Sequence, residues 1–280
     1  MPNNIINFFE WRGFMAIPKI IHYVWVGDPN KKPKMFYRCL ESWKKFAPDY
    51  EIIEWNEQNF DFNVSRYARE AYEMKKYGFV PDYIRAKILE TVGGFYFDTD
   101  VELIRPLDDL LDNEFVISFE NGAYVETAVL GAQKGHPFAK LMADFYIDYP
   151  FKIKNGKFNA TPSTPIWTHF LKKHYGLKLK NETQYLSRID GVDVSKVTVF
   201  QNDYFCPINY TTKEILLTDN TYTIHYFDAS WFDKKLKASE KFLRALYKVV
   251  RGGIFTIFTR MYTNAVGQKI ERYLKKKNKI

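Results

Sequence analysis

The chain alternates between short β-branched or aromatic runs and longer stretches whose apolar residues return at helical spacing. The first run, Ile17 to Gly27 (IPKIIHYVWVG), is stopped by Gly27-Asp28-Pro29 and predicts a buried strand. Met35, Cys39 and Trp43 then recur at helical spacing over Lys34 to Phe46. Tyr50 to Asn56 predicts a second strand, and Arg66 to Lys76 a charged helix. From Val80 to Pro106 the signals are densest. Pro81 suits a first helical position, where its missing N–H costs nothing. Ile84, Ile88 and Val92 mark the core face, and Gly93-Gly94 ends the helix. Phe95-Tyr96-Phe97 follows as a β-prone run. Further strands are predicted at Phe115 to Phe119, Tyr124 to Gln133 and Thr221 to His225. Helices are predicted from Phe138 to Ile147 and from Thr161-Pro162 to about Lys173. No element is assigned between 176 and 220. This alternation argues for an α/β fold with a largely parallel sheet and helices on its faces.

The polar residues threaded through the central unit carry the chemistry. Asp82 and Arg85 lie three apart, on a helix face away from Ile84 and Ile88, and can act together. The run Phe95 to Phe97 delivers Asp98-Thr99-Asp100. In an extended chain, residues two apart project to one side, so both carboxylates could hold one hard divalent cation. A lone D-x-D is a weak signal. The order D-x-x-R, then Y-x-D-x-D, through a helix, two glycines and a strand is much more specific. His136 and His174 read as loop or helix-end histidines, and a lone histidine on a strand, such as His225, is usually structural.

Charge and cysteines narrow the picture. The net charge is +8, but residues 234–280 hold fourteen Lys and Arg against Glu240 and Glu271, so the rest of the chain carries −4. The basic character therefore belongs to the tail. Two cysteines, Cys39 and Cys206, fit neither a disulfide framework nor a zinc site and point to a reducing, cytoplasmic setting. No apolar run is long enough to span a membrane, and the N-terminus lacks a secretory pattern.

The five polar positions Asp82, Arg85, Tyr96, Asp98 and Asp100 resemble the sugar-binding D-x-D region of glycosyltransferase family 32, which includes capsule and polysaccharide transferases and yeast mannosyltransferases. They are also similar to those of the large glucosylating bacterial toxins. The opening Ile17-Pro18-Lys19-Ile20-Ile21-His22, with Trp25 and Gly27, is similar to the family's first motif. Arg105-Pro106-Leu107 is similar to its continuation, and His225 with Ser230-Trp231 to its closing motif. Glu126-Thr127 departs from the asparagine often found before the later strand, and Thr161 to Pro165 from the usual T-G-P form. The resemblance implies a GT-A-type nucleotide-diphospho-sugar transferase fold, a Rossmann-like mixed sheet flanked by helices, over residues 15–232. It implies Mn²⁺ or Mg²⁺ at Asp98, Asp100 and His225, and catalytic roles for Asp82, Arg85, Asp98 and Asp100. Trp25 would be a platform for the nucleotide base, Tyr96, Asp82 and Arg85 would line the sugar pocket, and Ser230 and Trp231 would close over the donor. The implied reaction moves a hexose with retention from a nucleotide-sugar, UDP-linked, to a saccharide acceptor.

Residues 1–14 read as an extension, and 233–280 as a basic amphipathic helical segment. In the latter, Phe242, Leu243, Leu246 and Val249-Val250 form an apolar stripe ringed by Lys and Arg, and Ile254 to Phe258 follows a Gly252-Gly253 break. This predicts docking on an anionic membrane, peripheral on the inner face of the cell membrane, and a lipid-linked acceptor in surface or capsular polysaccharide synthesis. The competing expectation is that the stripe packs on the catalytic domain. Three rival functions remain open from sequence. A metal-dependent phosphohydrolase would use the same carboxylates but leave Asp82, Arg85 and Trp25 without a task. A toxin-like transferase would glycosylate a protein. Nucleic-acid binding by the tail is disfavoured by the −4 body and the absence of a nucleic-acid motif, so no nucleic-acid partner is expected.

Overall fold

The strongest apolar run forms the strand on which the others are laid. β1 (Ile20–Val24) is parallel to β2 (Glu51–Trp55) on one side and to β3 (Gly94–Phe97) on the other. The structure, a computed structural model, describes residues 16–120, 123–191, 193–208, 214–228 and 252–277, with side chains of the last helix from 257 onward. Parallel neighbours need a crossover. α1 (Lys34–Phe46) supplies the first; α2 (Arg66–Glu73) and α3 (Pro81–Thr91) supply the second. Ser65 caps α2 by accepting the Ala68 N–H at 3.1 Å, and Pro81 opens α3.

The sheet has seven strands in the order β2-β1-β3-β6-β5-β8-β7. It is more mixed than the sequence pattern suggested. β5 (Phe115–Ser118) is parallel to β8 (Lys196–Phe200). β6 (Val129–Ala132), however, runs antiparallel to β3 and β5, and β7 (Gln184–Ser187) antiparallel to β8. No helix lies among the described residues between β5 and β6, so the chain can only turn back on itself. β6 is shorter than expected: ahead of it the chain keeps only an isolated antiparallel bridge, Phe119 to Val125, and Tyr124, Glu126 and Thr127 line a cleft. The mixed α/β sheet flanked by helices is the fold class the resemblance implied.

Side-chain alternation divides the core. Phe95 and Phe97 face the layer containing Phe36, Cys39 and Trp43 of α1. Tyr96 faces the opposite layer, with α3, α4 (Pro137–Asp148) and α5 (Ser163–Tyr175). Outside the main sheet, β4 (Val101–Leu103) pairs antiparallel with β9 (Thr223–His225), directly after the D-x-D.

α6 (Gly252–Lys277) starts at the glycine pair read as a break. Its Val266 and Ile270 are buried in the α4–α5 layer, and its Glu271 pairs with His169 at 2.9 Å and Lys173 at 2.7 Å, both on α5. This part of the basic segment packs on the catalytic body. Ile257, Phe258, Met261 and Tyr262 remain exposed at its N-terminal half. The extension 1–14, the stripe between 242 and 250, and Ser230 and Trp231 lie outside the described residues.

Candidate active site

A cleft of about 730 Å³ opens at the C-terminal ends of β1 and β3, where β1, β3 and β6 meet. This is where an α/β sheet offers its ligand positions. Trp25, one residue past β1, forms part of the wall near Asp28, Lys31 and Pro33. Its indole N–H donates to the Asp28 carbonyl at 3.1 Å, which fixes the ring while leaving it partly exposed.

The floor is built on Arg85. The side chain is 4 % exposed and stacks over the Tyr96 ring at 4.8 Å. Its guanidinium donates to the Thr127 carbonyl at 2.5 Å and the Pro81 carbonyl at 3.2 Å. It lies 3.2 Å from Asp82 Oδ1 and 3.5 Å from Asp98 Oδ1. The planar fork lets one side chain address both carboxylates and a carbonyl. Asp82 also accepts from the Tyr67 hydroxyl at 3.1 Å. Burial pushes the Asp82 carboxyl up to about 6, against the pull of Arg85. Asp82 and Arg85 therefore do meet on one face of α3, and that face is buried.

The D-x-D is a turn between β3 and β4 rather than an extended strand end. Convergence of its carboxylates comes from other contacts. Tyr96 donates to Asp98 Oδ1 at 2.6 Å, and the Asp228 N–H donates to Asp100 Oδ2 at 2.8 Å. Pairing of β9 with β4 sets His225 opposite Val101 and brings its Nε2 to 3.6 Å from Asp100 Oδ1. Ligand atoms of Asp98, Asp100 and His225 all lie within 4.8 Å of one another. Two hard carboxylate oxygens and one imidazole nitrogen suit Mn²⁺ or Mg²⁺, so these residues fit a divalent cation. Burial raises the Asp100 carboxyl. Against the cost of its own burial, Asp100 and Glu126 hold the His225 imidazole up at about 9.

Two further carboxylates, unassigned by sequence reasoning, share the cleft. Glu120 and Glu126 line it beyond the D-x-D. Burial pushes Glu120 up to about 7 and raises Glu126. The only sequence signal was that Glu126-Thr127 departs from the related pattern at this point. Thr127 also contributes, holding the Ser163 hydroxyl at 2.8 Å and offering its carbonyl to Arg85.

A helix-borne Asp–Arg pair, an acidic turn after a central strand and a histidine from a late strand are gathered in one cleft, as the resemblance to sugar-transferring enzymes implied. Residues 33–117 match the family described as the glycosyltransferase sugar-binding region containing the DXD motif. The matched residues include Asp82, Arg85, Tyr96, Asp98 and Asp100. The chain is 28% identical over 171 residues to inositol phosphoceramide mannosyltransferase 3 of Schizosaccharomyces pombe, covering 56% of this chain and 46% of that protein. It is 26% identical over 217 residues to a glycosyltransferase of Acanthamoeba polyphaga mimivirus, covering 74% and 83%. Among solved structures it is similar to the PaToxG glycosyltransferase, with 18% identity, a TM-score of 0.44, and 56% and 69% of the two chains covered. The chain thus spans less than half the length of the yeast mannosyltransferase. These matches make the chain similar to glycosyltransferases with a D-x-D sugar-binding region.

Proposed function

We propose that the protein transfers a hexosyl group, with retention, from a nucleotide diphosphate-sugar, UDP-linked, to a saccharide acceptor, with a divalent cation at Asp98, Asp100 and His225. The supporting observation is the charge of the cleft. Asp28, Asp82, Asp98, Asp100, Glu120 and Glu126 line it, against Lys31, Arg85 and His225. A nucleoside diphosphate is itself dianionic or more, so a bare cleft of this kind would repel it. A divalent cation held by Asp98, Asp100 and His225 would offset much of that charge and would supply the neutralisation that a diphosphate leaving group needs. Arg85 and Asp82 offer a fork of donors and a charged acceptor to sugar hydroxyls at the floor, and Trp25 offers a flat apolar face to the base.

The acceptor is lipid-linked in this reading, and the protein works at an anionic membrane in surface or capsular polysaccharide synthesis, with residues 233–280 as its contact. Support comes from the +12 charge of residues 234–280 and from the exposed Ile257, Phe258, Met261 and Tyr262. No helix among the described residues is long and apolar enough to cross a membrane.

A panel of nucleotide-sugars scored for hydrolysis and transfer tests the central reading. Turnover should vanish with EDTA and return with Mn²⁺ or Mg²⁺. Asp100→Ala should lose at least about 100-fold in kcat while its melting temperature stays near wild type. Release of phosphate alone, with no sugar transferred to any acceptor, would favour the phosphohydrolase. Full activity in Asp100→Ala would sink the cation reading.

A further inference from the structure

Glu126 has no task in the reaction as described, yet it is 1 % exposed and lines the floor of the cleft. Its backbone is pinned, because its N–H donates to the Ser118 carbonyl at 3.0 Å and the next carbonyl, that of Thr127, receives Arg85. The side chain therefore has little freedom to swing out. Oε1 accepts from the Ser118 hydroxyl at 3.3 Å, while Oε2 is buried without a hydrogen bond. A buried carboxylate oxygen left this way costs about 1–3 kcal/mol, so its retention calls for a reason.

The neighbour that Oε2 faces supplies one. His225 Nδ1 lies 3.5 Å away and is itself buried without a hydrogen bond. Across the same ring, Nε2 lies 3.6 Å from Asp100 Oδ1. One imidazole is thus addressed by two carboxylates from opposite edges, one on the D-x-D turn and one behind it. A shift of a few tenths of an ångström would close an Nδ1–H to Oε2 hydrogen bond. A metal-binding imidazole donates its other N–H to just such a partner, which fixes both tautomer and ring plane.

We propose that Glu126 is the positioning residue for His225: it takes the Nδ1–H and thereby turns the Nε2 lone pair toward Asp98 and Asp100. It touches neither substrate nor cation. The inference rests on the reading that the D-x-D turn holds a divalent cation.

Mn²⁺ binding to the full chain without donor, followed through the electron paramagnetic signal of free Mn²⁺, tests this apart from turnover. Glu126→Ala should weaken binding by roughly 10-fold or more. Glu126→Gln keeps the shape and an acceptor oxygen for Nδ1–H, so it should lose less than Ala; it also serves if the Ala variant fails to fold. In a His225→Asn background, Glu126→Gln and Glu126→Ala should each cost less than about 2-fold, because the ring they act through is gone. Losses that add to that of His225→Asn would overturn the proposal and make Glu126 a direct source of charge. Wild-type affinity in Glu126→Ala would overturn it as well. So would a second ion per chain that is lost in Cys206→Ser, since Cys206, Glu126 and His225 also lie within reach of one another and an ion would then stand between the pair. If the wild type binds no Mn²⁺, or Asp100→Ala leaves binding intact, the cation reading itself falls and takes this one with it. That result is distinct from one in which Asp100→Ala abolishes binding and Glu126→Ala does not.

Discussion

At the scale of single residues, polar side chains inside this protein are committed to one protonation state by what they touch. His22 and His136 show it best. His22 Nε2–H donates to the Gly93 carbonyl at 2.7 Å while its Nδ1 accepts the Trp55 indole N–H at 3.0 Å. His136 Nε2–H donates to the Lys196 carbonyl at 3.1 Å while its Nδ1 accepts the Phe138 N–H at 3.2 Å, capping α4. Both rings are neutral in one tautomer, and a second proton on Nδ1 would face a donor. Burial lowers each to about 4 from the ordinary 6.5. The unfolded chain therefore binds protons that the native one refuses, and stability falls as pH drops from about 6.5 towards 4. Each ring accounts for on the order of 3 kcal/mol over that range. Asp82 and Glu120, whose carboxyls are raised, titrate there with the opposite sign, so the measurement must be a difference. His136→Asn keeps a capping oxygen and removes the titration. The stability gap between wild type and His136→Asn, from urea unfolding at several pH values, should shrink as pH falls from 7 to 4.5. A constant gap would show that His136 does not titrate as argued. Sequence reading took His136 as a loop or helix-end histidine, and the structure places it at the N-terminal cap of α4. It could not see that Glu126 would come to face His225, since His225 is placed by the pairing of β4 with β9 and Glu126 by its N–H bond to the Ser118 carbonyl, both over long or non-local separations.

At the scale of elements, the legible parts were those whose signals are local. Pro81, the spacing of Ile84 and Ile88, and the Gly-Gly stop fixed α3 and β3 because each feature acts within a turn or two of chain. β7 and β8 were missed because β8 is five residues long and its identity as a strand depends on parallel pairing with β5 across a long separation. The D-x-D was read as extended, whereas the turn into β4 bends it. Gly94 carries more than a helix stop. Its φ is +98°, and a Cβ there would sit 2.8 Å from the Ile20 carbonyl oxygen, on the backbone of β1. The close approach lets β3 lie against β1 and sets the distance between Trp25 and the D-x-D. Gly94→Ala should therefore cost roughly 3 kcal/mol, from positive-φ strain plus displacement of a neighbouring strand. Gly135, at φ +79° with open space around it, is the control and should cost about 1 kcal/mol as alanine. Equal shifts in the urea midpoint for the two variants would show that the approach of β3 to β1 has slack.

At the scale of the whole molecule, charge and apolar surface are partitioned. The body carries −4, with six carboxylates lining the cleft, while residues 234–280 carry +12. Within that segment α6 serves two ends. Val266 and Ile270 are core residues, so its C-terminal half packs on the body, while the 242–250 stripe lies outside the described residues. Removing everything after residue 233 would strip the core as well as the tail, and loss of membrane binding in such a truncation would say little. Point changes on the exposed half avoid this. Ile257, Phe258, Met261 and Tyr262 fall at spacings of one, three and four and are 47–63 % exposed, on a helix whose neighbours include Arg260. In the proposed reading this apolar ridge, with Arg260 beside it, is the surface that meets the membrane. Each basic residue near an anionic leaflet contributes about 1 kcal/mol, and each buried methylene about 0.8 kcal/mol. The wild type should float with phosphatidylserine-containing vesicles, less at high salt as screening shortens the reach of the charge, and little with neutral vesicles. Ile257→Glu with Phe258→Glu should reduce flotation at least about 5-fold, through lost apolar contact and added repulsion. Hydrolysis of a soluble nucleotide-sugar should be unchanged, because neither residue lines the cleft. Equal flotation of the two proteins would leave the ridge without a membrane role. Flotation lost together with hydrolysis would mean that the substitutions had disturbed α6 against the body, and the same pair of changes at Met261 and Tyr262 would then decide between the two.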